Sequence, residues 1–125
     1  MTQQITITVD NITLRATLND SPAAQQIGDA LPITGKANVW GDEIYFGIPL
    51  SMDEADDARA EVEVGALAFW PPGNAFCIFY GPTPVSKGQE PRAYSPVNVF
   101  GHIEGDATQL RGTRSGAAVR IEWAM

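Results

Sequence analysis

The chain has one cysteine, Cys77, and one histidine, His102. A lone cysteine excludes an internal disulfide and a dithiol redox pair, and it fits a reducing compartment. One of each residue cannot assemble a usual structural zinc site, and the acidic run DEADD lacks the alternating ligands and the glycine of a calcium loop. No metal is expected. The glycines form neither a Walker loop nor a dinucleotide fingerprint, so no cofactor is expected either. Basic residues are sparse and scattered: 8 Lys and Arg against 15 Asp and Glu, for a net charge of -7. Such a surface repels phosphate, which makes nucleic acid and anionic membranes poor partners. No apolar run reaches the roughly 20 residues of a membrane helix. The opening MTQQITITVDNITLRATL has neither the basic nor the apolar region of a secretory leader, so a cytoplasmic location is expected. Internal repeats and low-complexity tracts are also missing.

What is present is punctuation. Twelve glycines and nine prolines in 125 residues break the chain into short segments, and this length suits one domain, residues 1–125, around one core. Residues 4 to 18 read as a hairpin in which Ile5, Ile7 and Val9, then Ile12, Leu14, Ala16 and Leu18, keep a period of two around Asp10-Asn11. In NDSPAAQQIGDALP, Asp20 or Ser21 caps a short helix, Pro22 opens it, Ala23, Ile27 and Leu31 share a face, and Pro32 ends it. Residues 33 to 40 and 43 to 50 form a second hairpin about Gly41-Asp42. In SMDEADDARA, Ser51 and Glu54 have capping-box spacing, which predicts a second short helix over 51–60.

From Glu61 onward Glu61 and Glu63 face water, while Val62, Val64, Ala66 and Ala68 face inward. Extending that phase turns the outer face apolar at Leu67 and Phe69. Pro71-Pro72-Gly73-Asn74 predicts a type II turn with Pro72 and Gly73 at its centre, and the returning FCIFY is apolar on both faces. A ribbon buried on both sides needs cover beyond one barrel lumen. VSKGQEPRAYSP then reads as a long irregular loop, the kind that is usually functional or mobile. VNVFGHIE and AAVRIEWA return to strand alternation. About eight strands and two short helices make an all-β, mostly antiparallel, small barrel with a helix near each opening.

VGALAFWPPGNAFCIFYGPTPVS, with GDEIYFGIPL before it and YSPVNVFGHIEGD after it, resembles a family of small prokaryotic proteins of cyclophilin-like fold and undetermined role. The resemblance covers nearly the whole chain and is most specific from Trp70 to Pro84. It implies an eight-stranded cyclophilin-like β-barrel with two capping helices. True cyclophilins are peptidyl-prolyl isomerases that carry an arginine in a Phe-His-Arg run on a barrel strand. This chain has no such run: Ile103 follows His102 and Cys77 follows Phe76. The activity therefore does not transfer with the fold.

Cys77, in an apolar strand without a neighbouring base, reads as an inert buried thiol. Asp42-Glu43, and Glu104 with His102 two residues away on one strand face, are the candidate acid–base pairs, with solvated strand residues as the plainer reading. The surplus of aromatic side chains points to a groove. Its expected ligand-binding residues are Phe69, Phe76, Phe79, Tyr80, Tyr94 and Ser95, with His102 at the rim. The leading expectation is a non-catalytic or weakly catalytic module binding a peptide or small apolar ligand. The alternative is a peptidyl-prolyl isomerase with Arg92 or another arginine acting at the twisting bond and Phe76, Phe79 and Tyr80 as the proline pocket, and a third reading makes the apolar face a homodimer contact, the chain otherwise being a monomer.

Overall fold

The structure is a computed structural model that describes residues 3–125. Met1 and Thr2, which begin both the 1–125 domain and the stretch read for a leader, lie outside the described residues. Strands β1 (Gln3–Val9) and β2 (Ile12–Leu18) form the expected hairpin. Asp10 takes φ 51° at the turn, a left-handed conformation that Asp and Asn tolerate. Ile5, Ile7, Val9, Leu14, Ala16 and Leu18 all point into the core. Helix α1 (Pro22–Ala30) follows, with the Ser21 hydroxyl accepting from the Ala24 N–H at 3.1 Å. Ala23, Ala24 and Ile27 are its buried face.

The segment after α1 departs from the expected hairpin. Strand β3 (Ile33–Lys36) pairs with β10 (Ala118–Trp123), while β4 (Asn38–Val39) pairs with β5 (Glu43–Gly47). Between them, Ala37 donates its N–H to the Ala117 carbonyl and accepts from the Gly116 N–H, both at 2.8 Å. Strands β7 (Ala66–Trp70), β8 (Ala75–Phe79) and β9 (Arg92–Ile103) complete the order β3-β10-β1-β2-β9-β7-β8-β5-β4. One stretch, 33–39, thus supplies both ends of the strand order and gives the sheet its barrel-like closure. Closing a sheet removes the unpaired edges that invite association.

The helix expected over 51–60 does not form. Residues 51–58 are irregular, and β6 (Arg59–Glu61) pairs with β9. The Asn98 side chain accounts for this. Its Oδ1 accepts from the Ala55 N–H at 2.8 Å and its Nδ2 donates to the Asp53 carbonyl at 2.9 Å. A capping-box spacing with little apolar surface behind it is a weak helix signal, and tertiary bonds override it. The turn at 71–74 also differs from type II. Pro71–Gly73 make one 3-10 turn, and Asn74 takes the left-handed position at φ 47°. Gly73 is needed for closeness, since a Cβ there would meet the Trp70 ring at 2.6 Å.

The inside and outside of β7 are the reverse of the expectation. Leu67 and Phe69, both 0% exposed, belong to the lumen cluster with Phe46, Phe76, Phe100 and Ile78. Ala66 and Ala68 point outward, into a second cluster with Val62, Cys77, Phe79 and Val97. Layering explains the reversal: Val62 points into this second cluster from above and Ala66 and Ala68 from below, so their odd-numbered neighbours face solvent at Glu61 and Glu63 but the lumen at Leu67 and Phe69, with Gly65 at φ +94° in the turn between. The apolar surplus is real, but it lies on the opposite face. Its cover is a flap made by β6 and the first half of β9, so β9 begins inside the stretch read as a loop. Val97 sits opposite Arg59 and Arg92 opposite Glu61, an unequal spacing that marks a bulge and accommodates Pro96.

Candidate functional site

Where the flap meets the outer face of β5, β7 and β8 it leaves a cleft of about 300 Å³ lined by Trp40, Glu43, Tyr45, Trp70, Ala93, Tyr94 and Val97. Strand alternation builds its floor. Glu43 and Tyr45 are two apart on β5, opposite Phe79 and Cys77 of β8, so both project onto the outer face. Trp70 ends β7 just before the 3-10 turn. Tyr94 stands on the flap, 73% exposed, its ring centroid 6.4 Å from Trp40 and 6.3 Å from Trp70, edge-on to both. The Trp70 indole N–H donates to Ser95 Oγ at 2.7 Å, which fixes that wall. T-shaped packing at this distance is favourable, so the three rings hold one another open around the cleft.

Glu43 is the exception in this apolar setting. It is 6% exposed, and burial pushes its carboxyl from 4.5 up to about 7, partly offset by the hydrogen bond from the Cys77 thiol. Removing a carboxylate from water disfavours its charged form, and no guanidinium, ammonium or backbone N–H compensates. The thiol can give its hydrogen to Glu43 or to the Ala75 carbonyl at 3.9 Å. Burial, then the neighbouring Glu43, push the Cys77 thiol well above its ordinary range. As expected from the sequence, the thiol is buried, and nothing activates it.

The residues expected at a groove are dispersed. Phe69, Phe76 and Tyr80 belong to the lumen, where Phe76 stacks on Phe46 at 5.2 Å and meets Phe100 edge-on at 5.0 Å. Phe79 is fully buried in the second cluster, beneath the cleft. Tyr94 lines the cleft and Ser95 braces it. His102 lies elsewhere on the outer face, over Gly65, with its Nε2 3.7 Å from Glu63 and its Nδ1 on the Ile103 carbonyl. The side chain of Glu104 turns to Gln4 and Thr17 instead of pairing with His102. Asp42, beside Glu43 in sequence, pairs with Arg111 at 3.0 Å.

Arg92 does not reach the cleft. Its guanidinium donates to Glu61 at 2.8 Å, with Glu90 at 3.8 Å, so the arginine of the isomerase alternative is held on the flap by two carboxylates. Trp40, Tyr45, Trp70, Ala93 and Val97 were not singled out by sequence reasoning. The available signal was the alternation of Glu43 and Tyr45 in an otherwise apolar strand. Among the described residues no three His, Cys, Asp or Glu side chains gather as a metal set, and no helix is long and apolar enough to cross a membrane.

Comparison with known proteins follows the fold. A hypothetical protein of Archaeoglobus fulgidus, solved in solution, superposes with a TM-score of 0.81 at 35% identity, covering 98% of this chain and 95% of that one. McbB, solved in complex with tryptophan, superposes with a TM-score of 0.70 at 19% identity, covering 94% of this chain but 44% of that one. That second likeness is one of fold alone. None of the curated proteins matches. The Cyclophilin-like family model matches residues 3–122, and with that span and this architecture the chain belongs to the Cyclophilin-like family.

Proposed function

We propose that the chain is a binding module that takes a small apolar or aromatic molecule, or the side chain of a peptide, in the cleft between the β5–β7–β8 face and the flap. The observation that carries this reading is the set of three aromatic rings, Trp40, Trp70 and Tyr94, held around a cleft of about 300 Å³ with one buried carboxyl in its wall. Ligand sites are typically concave, mostly apolar and supplied with a few fixed polar groups. McbB, which shares this fold over 44% of its length, was solved in complex with tryptophan. Isomerase chemistry is less well supported, because Arg92 is committed to Glu61 and Glu90.

Tyr94→Ala tests the reading. The side chain is largely exposed, so its removal should leave the melting temperature nearly unchanged. Loss of one aromatic contact of about 1 kcal/mol should weaken binding of 2-phenylethanol, followed by NMR titration, roughly fivefold. Unchanged affinity in Tyr94→Ala, or no binding by the parent chain at millimolar probe, would remove the cleft from consideration.

A further inference from the structure

Glu43 gives the cleft a chemical preference that the aromatic walls alone would not have. The residue is 6% exposed, and it lines the cavity. The Cys77 thiol of β8 hydrogen-bonds to the Glu43 carboxyl, Tyr45 and Tyr94 share its cleft, and the Tyr80 phenol lies within electrostatic range; none is cationic. The flap contributes Val62 and Ala93 to the layer beneath it, neither of which is charged. The nearby cations are engaged elsewhere, Arg92 by Glu61 and Arg111 by Asp42. The Trp70 indole N–H is likewise committed, to Ser95.

The cleft thus offers π faces, one carboxyl and no cationic donor, its other polar groups being the neutral Trp40 indole N–H and the Tyr45 and Tyr94 hydroxyls. Ring faces carry negative quadrupole potential and attract cations, most strongly when water is excluded. The chain as a whole, at -7, draws cations toward its surface. We propose that the ligand of this cleft carries a protonated nitrogen, an ammonium or amidinium on a small apolar or aromatic body, and that Glu43 is its anchor; this rests on the binding reading above. A bound cation supplies the missing counter-charge, forming a charge-assisted hydrogen bond with the carboxylate while the rings of Trp40, Trp70 and Tyr94 enclose the body. At neutral pH and below, such a ligand displaces a proton from Glu43.

The test uses three probes of one shape: phenethylamine, 2-phenylethanol and phenylacetate, titrated by NMR at about 0.15 M salt, where long-range attraction is screened. Phenethylamine should bind about tenfold more tightly than 2-phenylethanol, and phenylacetate weakest. Glu43→Gln should abolish the preference for the amine over the alcohol. In the unaltered chain, amine affinity should strengthen as pH rises from about 6 to about 8, since an aliphatic ammonium keeps its proton there. That arm requires no variant to fold. Equal or tighter binding of the alcohol, an amine preference that survives in Glu43→Gln, or amine affinity flat across that range would overturn the cation assignment and leave the cleft reading standing. If none of the three probes binds, the cleft reading fails, and the cation assignment with it.

Discussion

Replacing Glu43 by Gln should remove a pH dependence from the stability of the fold. The folded-state carboxyl titrates at about 7 against an ordinary 4.5, chiefly because it is buried. The folded chain therefore holds its proton more tightly than the unfolded chain does. Stability from this group is fully present below about 4.5 and declines as pH rises toward about 7, above which it is lost. At about 1.4 kcal/mol per pKa unit, the displacement amounts to roughly 3 kcal/mol. Little discount for solvent screening applies to a side chain this enclosed. Urea denaturation of the two chains at intervals from about pH 4.5 to pH 8 isolates the effect, because the other carboxyl groups titrate alike in both and cancel in the difference. With an m-value of about 2 kcal/mol/M, the midpoint of the parent chain should fall relative to Glu43→Gln by about 1.5 M across that range. A constant difference at every pH would refute the reasoning, since the burial of Glu43 would then carry no proton linkage. A parent chain that gains on the variant with rising pH would mean that an unrecognised cation already stabilises the carboxylate.

Other outcomes follow from the same packing. Cys77 is 1% exposed, with its thiol pushed toward the neutral form; a thiol reagent should therefore label it only at the rate of global opening, and rapid native labelling at neutral pH would contradict the closed second layer. Asn98→Ala removes both bonds that hold residues 53 and 55. It should cost about 1–3 kcal/mol and expose the 51–58 stretch to proteolysis, whereas unchanged nicking there would show that the segment is held by other means.

The parts of this fold legible from sequence are those in which local pattern and tertiary demand agree. The β1–β2 hairpin and α1 carry their own turn and cap residues, Asp10 and Ser21, and they form as read. Which face of β7 is inside was not recoverable by extending the alternation from Glu61, because Val62 and Ala66 point into one layer from opposite sides, and that depends on tertiary placement. The helix suggested by Ser51 and Glu54 gave way to Asn98, a residue more than forty positions downstream. The cleft was harder still: Trp40 and Glu43 lie far along the chain from Tyr94, and they meet only because β9 folds its first half over the outer face. Six of the seven expected ligand-binding residues do not line the cleft for related reasons. An aromatic-rich run identifies apolar mass, while its direction depends on strand phase. Tyr94 was legible because it lies in the long irregular stretch VSKGQEPRAYSP, beside the apolar ribbon.

Intermolecular NOEs from bound phenethylamine test the account's centre most directly. Cross-peaks are expected from the probe's ring protons to the indole protons of Trp40 and Trp70 and to the ring of Tyr94, with none to Trp123. Contacts confined to Trp123 and the chain ends, or saturable binding without contact to either cleft tryptophan, would contradict it.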